Sequence, residues 1–232
     1  MKLIQFLNEE TYNLDKVAGD IFKNIVVSFY KTIRKHTKKV GYYKAPEISA
    51  TYPIKKYLPE NIFKDIDVKM TVYFTRNHSD SPRAESYPAK RTIKIVFPIV
   101  NALIGFEDEK IKKELFGYLH HEIAHIFDIA RSNFKTHAKY TTEKAKKKPM
   151  SLPYKYFTDP MEINAYIHQI KEFKRDNSKK WDKVKNIESL VRTFFGNNFY
   201  STALFDKQKR LNFNRKLLKR LARENMLPKA MQ

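Results

Sequence analysis

From residue 14 to residue 33 apolar side chains return at steps of three and four: Leu14, Val17, Ala18, Ile21, Phe22, Ile25, Val26, Phe29, Tyr30 and Ile33. That spacing gathers them on one stripe of a helix of about five turns. A basic, glycine-marked stretch, 35–41, ends the helix. Residues 41–65, with Pro46, Pro53 and Pro59, read as irregular connection or short edge strands. The period then changes to two. In DVKMTVYFT, 67–75, Val68, Met70, Val72 and Phe74 alternate with polar neighbours, and RTIKIVFP, 91–98, is again alternating and β-branched. Two strands are predicted there, joined by a polar loop that contains Ser79 to Pro82, with Pro98 marking the second as an edge strand or its end.

The helical period comes back at 107–131, with Glu107, Asp108 and Glu109 in the first turn, where the helix dipole favours carboxylates. Residues 135–149 are Lys-rich, polar and aperiodic, and read as a loop. Asp159 and Pro160 supply an N-cap and a first helical residue for a helix that runs to Arg175. Two further helices are predicted at 181–195 and 206–224, the last with Phe213, Leu217 and Leu221 on one side and Arg and Lys on the other. The order is an N-terminal helix, a small mixed or antiparallel sheet, a long helix and then mostly helices, which is an α+β plan. A chain of 232 residues fits one domain, 1–232, made of an N-terminal helix (1–40), a core (67–175) and a basic helical extension (181–232).

Composition adds a partner class. With 46 Lys and Arg against 25 Asp and Glu the formal charge is +21, yet 14% of residues are aromatic, so this is a folded domain with a basic surface and not a disordered basic tail. The excess is concentrated at Lys135, Lys139, Lys144, Lys146, Lys147 and Lys148, and along the last predicted helix from Lys207 to Arg223. It favours nucleic acid or an acidic protein, bound without sequence readout, since no nucleic-acid recognition motif is present. No cysteine is present, so any metal must be held by His, Asp and Glu. The apolar start, Met1 to Leu7, is too short for a signal peptide, and the longest apolar run, 95–105, contains Pro98 and Asn101. The expectation is a cytoplasmic protein without a membrane partner.

One stretch carries chemistry. In YLHHEIAHIFD, 118–128, His121 and His125 are four apart and project from one helix face, with Glu122 beside them. The pair forms half a tetrahedral metal site, and a catalytic zinc needs a third protein ligand. His120 has no such partner, because residue 124 is Ala. The flanking Leu115, Phe116, Leu119, Ile123, Ala124, Ile126, Phe127 and Ile129 make the helix apolar on nearly every side. Two imidazoles and a carboxylate within it are costly unless paired or metal-bound. In TDPMEINAYIHQI, 158–170, Glu162 lies in the first turn of the capped helix and offers a third ligand; alone, it would read as a surface carboxylate favoured by the dipole.

His121-Glu122-x-x-His125 followed by Glu162-x-x-Ala165 on a later helix resembles the gluzincin branch of the zincin metallopeptidases, over residues 67–175. The Pro-Met-Glu-Ile-Asn-Ala-Tyr stretch is also similar to short zincin-like proteins encoded by bacteriophages. The resemblance implies a zinc metallopeptidase acting on a protein or peptide substrate, with His121, His125 and Glu162 on the ion. Glu122 would be the general base that takes a proton from the attacking water and passes it to the leaving amine. It implies an oxyanion donor too: Tyr166 is the candidate, with His168, Tyr154 and Tyr156 competing. Asp128 is either a carboxylate behind a ligating imidazole or a solvated helix-end group. The strand Thr92, Ile93, Lys94, Ile95, Val96 and Phe97 would bind substrate as an added strand through its backbone. Two alternatives stay open. His137, 12 residues after His125, has a spacing similar to that of the third histidine of SprT-like proteases that act on DNA, and would displace Glu162. The chain would otherwise be a non-catalytic, nucleic-acid-associated or virion structural protein on a zincin scaffold.

Overall fold

The stripe that begins at Leu14 folds as helix in the computed structural model, which describes residues 14–40, 47–75, 80–100, 109–135, 157–196, 199 and 207–232. Helix α1 (Leu14–Ile21) passes through one wider π turn (Phe22–Val26) into α2 (Val27–Val40). The π turn resets the register, and Ala18, Ile21, Ile25, Val26, Phe29 and Ile33 are all buried. The helix ends inside the basic stretch, at Val40.

Strand β1 (Ser49–Pro53) falls in the proline-marked region and leads through a short helix, α3 (Glu60–Phe63), to β2 (Asp67–Thr75). The polar loop expected after β2 contains a strand, β3 (Arg83–Tyr87), which turns through Pro88–Lys90 into β4 (Thr92–Val100). The sheet order is β1-β2-β4-β3, with β2 and β4 parallel and the outer strands antiparallel to them, so the sheet is mixed. β4 is therefore an interior strand, not an edge, and Pro98 sits within it opposite Tyr73. Alternation buries Val68, Met70, Val72 and Phe74 with Ile93, Ile95, Phe97 and Ile99 on one face, all at 0% exposure. Each such side chain contributes about 1.5–3 kcal/mol relative to leaving it in water. The long helix α4 (Glu109–Arg131) packs against β3, β4, α1 and α3; residues 107 and 108, its expected start, lie outside the described residues.

The remaining helices are α5 (Pro160–Asp176), α6 (Ser178–Trp181), α7 (Ile187–Phe195) and α8 (Lys207–Arg223). The helix predicted at 181–195 is two pieces, because Asn186 starts α7 with a reciprocal cap: Ser189 N–H donates to Asn186 Oδ1 at 2.8 Å, and Asn186 N–H donates to Ser189 Oγ at 3.1 Å. The core here is apolar and aromatic, with Ile167, Ile170, Leu190, Phe213, Leu217 and Leu221 at its centre. The expected single domain divides into two units, Met1–His137 and Ala138–Gln232. The boundary cuts the expected core 67–175 within the Lys-rich stretch, whose loop reading lies outside the described residues. Among the described residues no helix is long and apolar enough to cross a membrane.

Candidate metal centre

Helix α4 carries polar groups where it is most buried. Leu119, Ile123 and Ile126 are fully buried, and between them His121, Glu122 and His125 are 6%, 6% and 7% exposed. Three ionisable groups in about one turn of buried helix cost several kcal/mol unless partners compensate them. The four-residue spacing brings Nε2 of His121 to 3.0 Å from Nε2 of His125, with the rings perpendicular at 89° and their centroids 4.5 Å apart. Two imidazoles on a tetrahedral ion, each about 2 Å from it, hold their nitrogens about 3.3 Å apart, so the pair fits a common ion. His120 points elsewhere, with Nε2 3.0 Å from Asp15 Oδ1 on α1. His121, not His120, is therefore the histidine that faces His125.

The C-terminal end of α4 is held by a backbone motif and a side chain. Asn133 is left-handed (φ 50) and Phe134 N–H donates to Ile129 O at 3.0 Å, which closes the helix in a Schellman-type cap. Arg91, itself left-handed (φ 46) at the entry to β4, donates from Nη1 to Asn133 Oδ1 at 3.0 Å and from Nε to Asp65 O at 3.1 Å, and lies over the Phe134 ring. One arginine thus ties the sheet to the end of the helix that bears the histidines. No sequence periodicity marks it. Asp128 is partly buried on α4, one turn past His125.

In the second unit Asp159 caps α5 as expected, accepting from Met161 N–H at 2.9 Å. Glu162 is in the first turn at 5% exposure, so it is not the surface carboxylate that its position alone would suggest. Tyr166 follows one turn later at 8% exposure, its ring stacked on Phe157 at 6.1 Å and edge-on to Phe195 at 4.9 Å. His168 is partly buried, while His137, Tyr154 and Tyr156 lie outside the described residues.

Family models, curated proteins and solved structures give no match. Among the described residues His121 and His125 in the first unit and Glu162 in the second are each buried and of a type that ligates metal ions. Other buried ionisable groups have protein partners within their own unit: Asp15 meets His120 in the first, and Glu172 accepts from Arg175 in the second. The added-strand role expected of Thr92, Ile93, Lys94, Ile95, Val96 and Phe97 is corrected. Thr92 to Val96 pair with β2 on one side and β3 on the other, and Ile93, Ile95 and Phe97 are fully buried, so an incoming strand finds no edge at 92–96. Among the described residues the sheet edge on that side is β3.

Proposed function

We propose that the chain is a zinc-dependent metallopeptidase in which His121, His125 and Glu162 hold the ion and Glu122 is the general base. The observation that carries this reading is the pair of imidazole nitrogens 3.0 Å apart on a buried helix face, with a carboxylate in the same turn. A nitrogen and carboxylate donor set without sulfur suits a catalytic zinc that keeps one position open. The ion, when bound, supplies a Lewis acid that polarises the scissile carbonyl and makes water more acidic.

The chain's own groups do the rest. Glu122, next to His121 in a turn closed to solvent, accepts the proton of the attacking water and delivers it to the leaving nitrogen. Tyr166 is assigned as hydroxyl donor to the oxyanion, on the face of α5 that carries Glu162 one turn earlier. A purely structural site has no use for a carboxylate beside the ligands, so the burial of Glu122 favours catalysis over a scaffold role.

Elemental analysis and peptide hydrolysis test the proposal together. Wild type should carry about one zinc per chain, lost in His121→Ala and in Glu162→Ala. Glu122→Gln should keep the ion and lose hydrolysis by a factor on the order of 10²–10⁴. A wild type that takes up no zinc on reconstitution, or a Glu122→Gln variant as active as wild type, would sink the proposal.

A further inference from the structure

The sheet of the first unit has a second face, buried at Val96 but exposed or half-buried at Lys69, Thr71, Thr92 and Lys94. Lys69, Thr71, Thr92, Lys94 and Tyr87 stand on it, and with Thr51 and Lys90 they line a recess of about 330 Å³. The recess lies outside the residues assigned to the metal centre.

The charges there are arranged at a cost to the fold alone. The β2–β4 register sets Lys69 opposite Lys94, and like charges directly opposite on neighbouring strands destabilise the pair. Asp67 answers Lys69 at 2.7 Å. Glu85, opposite Lys94 on β3, is engaged instead by Arg83 Nε at 2.7 Å and by Tyr87 Oη at 2.9 Å. Lys90 and Lys94 have no ion pair with any described residue. Hydroxyls floor the recess: Thr51 and Thr71 have their Oγ1 atoms 2.8 Å apart across β1 and β2, and Thr92 donates to Lys90 O at 3.1 Å. Tyr87 completes the rim, 45% exposed as a residue and with its hydroxyl held by Glu85.

We propose that this sheet face binds single-stranded nucleic acid, with Lys69, Lys90 and Lys94 on consecutive phosphates and Tyr87 stacked on a base. Ammonium groups along a groove together with an exposed, positioned aromatic ring are what a flexible strand with unstacked bases requires. A recess of about 330 Å³ is at the lower end of sites that take a small ligand, which suits one nucleotide unit and not a duplex. The net charge of +21 raises the local concentration of any such polyanion.

Fluorescence anisotropy with a labelled oligothymidylate, read as a function of salt, tests this independently of the metal centre, because binding is measured without any hydrolysis. Lys90→Gln with Lys94→Gln should weaken binding about tenfold and reduce the salt slope by about 1.4, at about 0.7 per phosphate on a single strand. Tyr87→Ala should cost about tenfold as well, while Tyr87→Phe, which keeps the ring, binds like wild type. The charge-matched pair Arg215→Gln with Lys219→Gln on α8 should cost clearly less. Equal losses in the two charge pairs, an unchanged salt slope in the sheet pair, tighter binding of the duplex, or displacement by poly-glutamate at equal charge would each overturn the assignment.

Discussion

The two long helices α4 and α8 place their ionisable side chains in opposite ways. Helix α4 turns two imidazoles and a carboxylate inward, all at or below 7% exposure, among Leu119, Ile123 and Ile126. Helix α8 buries Phe213, Leu217 and Leu221 and leaves Lys207, Arg215, Lys219 and Arg223 in solvent. Two cations of α8 are used by the fold: Lys216 donates to Thr158 O at 3.0 Å and Arg220 to Asn164 Oδ1 at 2.8 Å, both stitching α8 to the α5 segment. Ionisable groups in the low-dielectric interior need specific partners, whereas solvated cations are screened and act through their sum. The chemistry is therefore to be sought on α4, and α8 contributes packing and field.

Side-chain truncation on both helices is the most forceful way to sharpen that contrast. Ile126→Ala and Leu217→Ala, each removing a fully buried side chain, should lower stability by about 2–5 kcal/mol. Arg215→Ala, on the exposed face of α8, should stay within about 0.5 kcal/mol. Urea midpoints measure all three. An Arg215→Ala loss comparable to Leu217→Ala would break the contrast, because the outer face would then be part of the packing.

Much of this was legible in the sequence wherever one side of an element is buried. Periodicity gave β2, β4, α5 and α8 to within a few residues, and the Asp159-Pro160 pair placed the start of α5. β3 is not legible in the sequence because none of Arg83 to Tyr87 is fully buried, even though α4 packs against the strand, so no alternation marks it. Without β3 in view, β4 reads as an edge and as a peptide platform, whereas the sheet order makes it an interior strand. The histidine pair was readable from spacing alone, since four residues on a helix decide which nitrogens converge. Arg91 was not readable, because its role depends on Asp65 and Asn133, 26 and 42 residues away along the chain.

Arg91 tests how firmly the end of α4 must be held. Arg91→Ala removes two hydrogen bonds and the contact with the Phe134 ring, and should cost about 1–2 kcal/mol at this exposed position. Arg91→Gly loses the same contacts but relieves the left-handed backbone, so it should be more stable than Arg91→Ala by about 1 kcal/mol. If both variants match wild type in urea, the clamp holds nothing and the order of α4 comes from packing alone.

The smallest expected effect lies on the outer rim of α4, where Tyr118 is 42% exposed and donates from its hydroxyl to Glu114 Oε1 at 2.9 Å. Partial burial, followed by the bond to Glu114 and its charge, pushes the phenol up from 10.0 to about 12. The folded state therefore favours the neutral phenol. Below pH 10 the phenol is protonated in both states and its contribution is whole. Between pH 10 and about 12 the unfolded chain ionises first, and the contribution is lost as pH rises through the folded value. Wild type should thus lose, across that window, whatever advantage it holds over Tyr118→Phe at pH 8–9, as read from urea midpoints at a series of pH values. Half-exposure to solvent keeps the effect small. A difference between the two proteins that stays constant through pH 12 would mean that Glu114 does not hold the phenol neutral, and that the outer rim of α4 behaves like the solvated face of α8.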